Sequence, residues 1–310
     1  MPNADVNRLG LRDGGSDNDE LFLIKFTGEI LSAFDTACKF KDKNYTRTIT
    51  EGKSARFDAL GGATARYRSV GENLAESGNH IPADEFTIAL DGMLISHVLV
   101  DEYDEMRNHY EIRGRFARKL GESLAQRYDK NIAAMGLKAA RSPARIPGGD
   151  GGTTITNALF ATDTKALAEG FYAAAQVLDE KNVPEEGRWG FVRPGVYYRL
   201  AQNFELLNSL FGGTGSIREG DIMKIAGITL VKTNNLPNAV ITDDLPKYNG
   251  DFSNTVALVM TDEAVGTVKR MELTATADWL PEYKSTLMTA QYLMGHDYLR
   301  PECAVELAIA

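Results

Sequence analysis

Residues 51–57 read Glu51-Gly52-Lys53-Ser54-Ala55-Arg56-Phe57, and the Gly-Lys-Ser at their centre is how a nucleotide-binding P-loop closes. Whether it is one decides the fold. A P-loop needs a second glycine five positions before the Gly-Lys, so that backbone N–H groups curl around the phosphates. Arg47 stands there instead. The approach, Tyr45-Thr46-Arg47-Thr48-Ile49, is polar and alternating, unlike the buried apolar strand that feeds such a loop. Downstream, Gly61-Gly62 interrupts any crossover helix within two turns. The stretch therefore reads as a basic surface segment, and a nucleotide-binding fold is not expected.

Working outward, residues 45–92 look like a long excursion without a core of its own. Phe86, Ile88 and Leu90 alternate with Thr87 and Ala89 as in a half-buried strand, and weaker alternation surrounds Arg56 and Phe57. Two such arms predict an extended hairpin. Its charges segregate: Arg47, Lys53, Arg56, Arg66 and Arg68 come early, and Glu72, Glu76, Asp84, Glu85 and Asp91 late. A two-stranded ribbon alone is only marginally stable in water, so a covering surface is expected.

Ahead of the hairpin, residues 1–18 are rich in Asp, Asn and Gly and have little to bury. Asp19 and Glu20 then open a predicted helix with Leu23, Phe26, Ile30, Phe34 and Cys38 at helical spacing. It packs either on its own domain or on a neighbour. After the hairpin, Met93–Val100 reads as a strand. The acidic run Asp101-Glu102-Tyr103-Asp104-Glu105 precedes a helix on which Met106, Tyr110, Phe116, Leu120, Leu124, Tyr128, Ile132 and Met135 share a face. The carboxylates are expected to offset the helix dipole rather than bind a cation. At roughly thirty-five residues, about 50 Å, this helix is a strut.

Gly148 to Gly152 marks a break, and a mixed α/β unit follows. Thr162 or Asp163 caps a helix with Leu167, Phe171, Ala174, Ala175 and Leu178 inward. Strands are predicted at Arg188–Val192, in a pair turning at Gly227, and at Val256–Met260; Pro194 opens a helix to Leu207, and Leu236 to Asn254 is loop. Val265–Thr276 and Leu287–Leu293 return as strands.

At 310 residues and 43% hydrophobic, the chain has material for one large core or two modest ones. A formal net charge of −9 argues against a protein whose main task is to grip nucleic acid. Cys38 and Cys303 form no metal-binding or redox pair, and are expected to be buried free thiols. No membrane span or secretory leader is expected. His80, His97, His109 and His296 stand alone, without the spacing of a metal or catalytic site. Gly212-Gly213-Thr214-Gly215-Ser216 is read as a loop, since no strand feeds it. No catalytic, cofactor-binding or metal-ligating residue is assigned.

Several stretches together resemble the major capsid proteins of T-seven-like podoviruses, a short-tailed group of bacteriophages. The carriers are Gly52 to Phe57 with Gly71-Glu72-Asn73-Leu74, Met106 to Arg113, and Leu120 to Ala125. Further on come Gly215-Ser216-Ile217-Arg218, Ala264 to Lys269, Met294-Gly295-His296, and Leu299-Arg300-Pro301-Glu302. Each string alone is ordinary; their order from residue 52 to residue 302 is specific.

The resemblance implies an α+β, HK-97-like phage capsid fold: an N-arm over 1–44, an E-loop over 45–92, a P-domain with spine helix over 93–152, an A-domain over 153–261, and P-domain return strands over 262–310. It implies a virion subunit, assembled in the bacterial host cytoplasm into pentamers and hexamers of an icosahedral head around double-stranded DNA. A scaffolding protein, a portal and an optional decoration protein are the implied partners. The expected assembly residues are Lys53, Arg56, Arg66, Arg68, Glu72, Asp84 and Glu85 on the E-loop, which lies across a neighbouring subunit in this family. Leu23, Phe26, Ile30 and Phe34 are expected to pack the N-arm helix, and Met106, Tyr110, Leu120 and Leu124 the spine helix. An encapsulin-like nanocompartment shell is the alternative, and a soluble α/β enzyme the third reading. Some shells of this fold carry Lys–Asn cross-links, but no residue here is assigned that chemistry. The expected shell is non-covalent, and subunit ladders on a denaturing gel of mature particles would contradict this.

Overall fold

A computed structural model describes residues 20–63, 65–67, 70, 81–101, 112–146, 149–201 and 224–310, with side chains from residue 28 onward apart from those of 60, 112 and 113. In chain order the early elements are helix α1 (Glu20–Ala37), strands β1 (Tyr45–Thr48), β2 (Ser54–Leu60), β3 (Ala83–Ala89) and β4 (Leu94–Asp101), and the long helix α2 (Ile112–Arg141). There follow β5 (Thr153–Thr156), α3 (Thr164–Glu180), β6 (Trp189–Val192), α4 (Pro194–Ala201), β7 (Lys224–Ile225) and β8 (Ile228–Lys232). The chain closes with β9 (Val240–Ile241), β10 (Gly250–Asp251), β11 (Thr255–Met260), β12 (Val265–Leu280), β13 (Ser285–Tyr298) and β14 (Ala304–Ala308). The described residues divide into two units: one drawn from 1–38, 91–128 and 271–294, the other from 39–90, 129–270 and 295–310.

In the first unit the helical spacing read in the sequence is realised as a helix–helix contact. Ile30 and Phe34 of α1 are buried, as are Ala117, Leu120, Leu124, Ala125 and Tyr128 on α2. The helices meet at Gly121, where an added Cβ would stand 2.7 Å from the Ile30 carbonyl oxygen. Phe34, Tyr128 and Tyr292 close the contact edge to face, with ring centroids 5.9, 6.2 and 6.4 Å apart. β4 pairs antiparallel with β13, from Leu94 opposite Tyr292 to Asp101 opposite Ser285.

The second unit is built on a six-stranded sheet in the order β5-β14-β11-β6-β8-β7. β11 and β14 are buried along their whole length, as central strands covered on both faces are. Asp163 caps α3 by accepting the Lys165 N–H at 2.9 Å, and Leu167, Phe171, Ala174, Ala175 and Leu178 point inward as their spacing predicts. Residues 131–137 of α2 are buried, and Gly136 lies against Leu258 of β11. The β7–β8 turn uses Ala226 at φ +50° and Gly227 at φ +77°.

The loop expected over Leu236 to Asn254 proves more ordered: β9 and β10 pair within it, and Tyr248 and Phe252 are buried. β5 and β14 are strands for which the sequence reading had no counterpart. The helix continuation over 202–207, the acidic residues 102–105 and the glycine-rich loop at 212–216 lie outside the described residues.

The excursion over 45–92 was expected to lack a core of its own and to need a covering surface, and the structure supplies that surface from the same subunit. β2 and β3 form the predicted hairpin, in register from Ser54 opposite Ala89 to Leu60 opposite Ala83. Ala55, Phe57 and Ile88 on one of its faces are buried against Val268 of β12 and Leu299 just beyond β13, with Ile49, Phe86 and Leu90 packed alongside. The period of two showed that one face was apolar, and the covering surface comes from residues more than 170 positions later.

Two glycines make this seat close. A Cβ on Gly266 would come within 2.7 Å of both Ile88 and Leu299, and one on Gly295 within 2.2 Å of the Ala89 carbonyl oxygen. A side-chain end can rotate away, whereas a strand backbone cannot. Gly295→Ala should therefore destabilise the subunit by about 1–3 kcal/mol through overpacking, outweighing the ~0.4–1 kcal/mol that glycine removal gains through the unfolded chain. Urea unfolding of the purified subunit measures this, and an unchanged or raised midpoint would overturn it.

Candidate assembly interface

Arg56 and Glu85 lie on the hairpin's outward face. Asp84, at the far end of the face that carries Phe86 and Ile88, is also exposed, as are Lys53 ahead of β2 and Arg66 on the segment beyond it. Arg56 donates to Glu85 at 3.1 Å, with side-chain exposures of 73% and 60%. Arg47 donates to the Arg56 carbonyl and lies over the Phe57 ring at 5.9 Å. Asp58 stands directly opposite Glu85, a like-charge cross-strand pair that Arg56 partly offsets. So exposed an ion pair contributes on the order of 0–1 kcal/mol and is screened by salt. Internal pairing thus accounts for Arg56 with Glu85 but locks neither in place. Arg68 and Glu72 lie outside the described residues. Tyr67 and Val70 are fully exposed, at 101% and 107%, an apolar display that an isolated subunit gains nothing from.

The opening motif forms no phosphate cradle. Gly52 takes φ +90°, its carbonyl accepts from Arg270 Nη1 at 3.1 Å, and the Lys53 carbonyl accepts the Leu90 N–H at 2.8 Å. Ser54 begins a strand where a P-loop requires a helix. These residues turn the chain into the hairpin and tie its two ends together.

Of the residues predicted to pack the N-arm helix, Ile30 and Phe34 are buried within their own unit, so the docked-on-a-neighbour alternative is not needed for them. The side chains of Leu23 and Phe26 lie outside the described residues. Leu120 and Leu124 are buried, and Met106 and Tyr110 lie outside the described residues. Among the described residues, no group of three His, Cys, Asp or Glu side chains could hold a metal ion.

Three buried polar clusters, all in the second unit, escaped the sequence reading. Asp129 on α2 accepts the Lys39 N–H at 3.0 Å, the Phe40 N–H at 3.2 Å and the Asn235 amide at 2.8 Å. Burial pushes its carboxyl up, against these donors and Lys43, which hold it down. Phe40, placed by that carboxylate, stacks on Phe191 with centroids 3.8 Å apart. Glu306 in the middle of β14 is fully buried, held by Arg141 through Nε at 2.6 Å and Nη2 at 2.7 Å and by the Thr255 hydroxyl at 2.6 Å. Asn44 donates to the Thr267 hydroxyl, which lies 2.9 Å from His296 Nδ1. Burial, with Lys247 nearby, pushes the His296 ring down to about 3. A signal existed for Asp129: it sits four residues after Ala125 and three before Ile132, a carboxylate on the helix's apolar stripe.

Residues 57–308 match the family described as Gp10A-like, major capsid protein. The chain is 29% identical over 311 residues to the major capsid protein of Escherichia phage T7, across 92% of this chain and 90% of that one. Among solved structures it is similar to the capsid of cyanophage P-SCSP1u, at 36% identity, 99% coverage of both chains and a TM-score of 0.80. It also superposes on the mature capsid of bacteriophage PhiM1 with a TM-score of 0.74 over 88% of this chain and 87% of that one; at 17% identity, that likeness speaks to fold alone. The fold is the HK-97-like one expected from the sequence.

His296 generates a pH prediction. Its folded pKa of about 3 lies below the ordinary 6.5, so the unfolded chain takes up a proton first as pH falls. The stabilisation is complete above 6.5 and is lost towards 3, at about 1.4 kcal/mol per pH unit. In urea titrations of the subunit between pH 7 and pH 5, His296→Gln should remove this one-proton slope. An identical slope in both proteins would contradict the assignment.

Proposed function

The chain belongs to the Gp10A-like family of major capsid proteins, and from that premise we propose how its parts build the shell. It is a structural, non-enzymatic subunit that self-assembles into a virion capsid. The proposed division is the N-arm over 1–44, the E-loop over 45–92, the P-domain over 93–152 with its return strands over 262–310, and the A-domain over 153–261. Subunits gather as pentamers and hexamers of an icosahedral head, built in the host cytoplasm with a scaffolding protein and a portal, open to a decoration protein, and filled with double-stranded DNA. The match to phage capsid proteins sets the nanocompartment reading aside.

The observation that carries the E-loop proposal is the asymmetry of the hairpin. Its root is seated on its own subunit by Ala55, Phe57 and Ile88, while Tyr67 and Val70 beyond the strands are fully exposed. That outer part lies across a neighbour, where the apolar side chains are covered. Arg56, Arg66 and Arg68 meet acidic surface there, and Lys53, Glu72, Asp84 and Glu85 mark the register. Charge at such a contact selects register and partner more than it adds affinity.

Sedimentation velocity with electron microscopy, on the protein alone and with scaffold, tests this. Wild-type protein should give closed shells or discrete capsomers. Arg56→Glu with Arg66→Glu and Arg68→Glu should lose most of the assembly yield while the subunit stays folded. The swap of Arg56→Glu with Glu85→Arg separates the two roles of Arg56. Restored assembly would assign it to pairing within the hairpin; continued failure, to the neighbour.

A further inference from the structure

Resting on the reading of this chain as a shell subunit that encloses double-stranded DNA, we propose that the exposed stripe of α2 carrying Arg115, Arg118 and Lys119 contacts the phosphodiester backbone of the packaged duplex. The chain as a whole is acidic, with 34 Lys and Arg against 43 Asp and Glu, but α2 inverts the balance with eight against two. In the first unit Ala117, Leu120, Leu124, Ala125 and Tyr128 take the buried side of this helix. Arg115, Arg118, Lys119 and Gln126 are exposed, and half-buried Glu122 lies among them. Their i, i+3 and i+4 spacing puts these five on one stripe, about 16 Å long.

Among the described residues Arg115 and Arg118 show no ion pair, although the Glu29 carboxylate lies beside the helix at Gly114. A helix dipole favours positive charge at the C-terminal end, and that accounts for Lys138 and Arg141 in the last turn. Arg115 and Arg118 sit in the other half, where the dipole does not stabilise them. Lys119 pairs with Glu122 at 2.7 Å, but the lysine is 78% exposed, and such a pair is weak and screened. A partner of opposite charge supplies the missing interaction.

A duplex presents about one negative charge per 1.7 Å of its axis, so a stripe of this length meets phosphates in any register. Guanidinium forks match the paired oxygens of a phosphate. Three contacts are too few to hold DNA tightly at physiological salt, and the acidic remainder of the chain repels it. The stripe is thus a weak, sequence-independent rest on a wall that must let its contents leave.

The test is fluorescence anisotropy of a labelled 25-base-pair duplex titrated with unassembled full-length subunit between 50 and 200 mM salt, with shell formation followed by electron microscopy. The wild type should bind with a linear log–log salt dependence. Arg115→Gln with Arg118→Gln and Lys119→Gln should reduce that slope by roughly 2–3, with shells still forming. Glu122→Gln should tighten binding. No measurable wild-type binding at 50 mM salt, or an unchanged slope in the triple variant, overturns the proposal. So does a triple variant that binds DNA like the wild type yet loses self-assembly or scaffold-dependent assembly, because the stripe is then covered by another subunit or by scaffold. Wild-type protein that never forms shells counts against the shell geometry instead, so the two failures are distinguishable.

Discussion

The close approach of β3 to Gly295 is the constraint on which the rest of the hairpin depends. With a Cβ position 2.2 Å from a strand carbonyl, only hydrogen fits, and the seat allows one height for the ribbon above β13. Ile88 then drops between Gly266 and Leu299, and Phe57 follows through its register with Phe86. The root of the hairpin is thereby fixed on its own subunit. A hairpin on a packed root samples fewer positions than one on a loose root, and any contact its outer part makes costs less entropy.

The buried polar clusters act on the same logic at greater depth. A carboxylate such as Glu306 inside a sheet is costly unless every oxygen is satisfied, and Arg141 with Thr255 satisfies it. Asp129 satisfies two backbone N–H groups of the chain that runs from α1 towards β1, and so sets where Phe40 enters the core. These groups add less to stability than the apolar core does. What they impose is a single arrangement, since any other would leave a charge or an amide buried without a partner. For a subunit repeated many times over one surface, that uniqueness has direct use.

Charge is distributed to match. In the interior pair the Glu306 carboxylate is fully buried and both its oxygens are held, the hairpin pair is exposed and exchangeable, and the excess of cations gathers on one helix of an acidic chain. An exposed Arg56–Glu85 pair can be traded for an equivalent contact at small cost. The Arg141–Glu306 pair cannot be traded in the same way, because the buried carboxylate would be left without its partner.

Much of this was legible in local pattern. The period of two at Phe86, Ile88 and Leu90, the 3.6-residue spacing through Leu120, Leu124 and Tyr128, the Asp163 cap and the mismatch of Gly52-Lys53-Ser54 with a P-loop all follow from residues within a few positions of one another. Even the family strings were visible as strings, but why Gly266, Gly295 and Leu299 belong to them was not. Their role appears only when β3 lies on top of them. In the same way Val305 and Leu307 gave no clear strand signal because Glu306 breaks the run, and it fits a buried strand only because Arg141, 165 residues earlier, arrives beside it. Sequence periodicity determined which face of each element is apolar, because that depends on bonded geometry alone. Which surface covers that face, and which buried charge meets which donor, was decided only by the tertiary structure, because those choices are made between residues that the chain holds far apart until it folds.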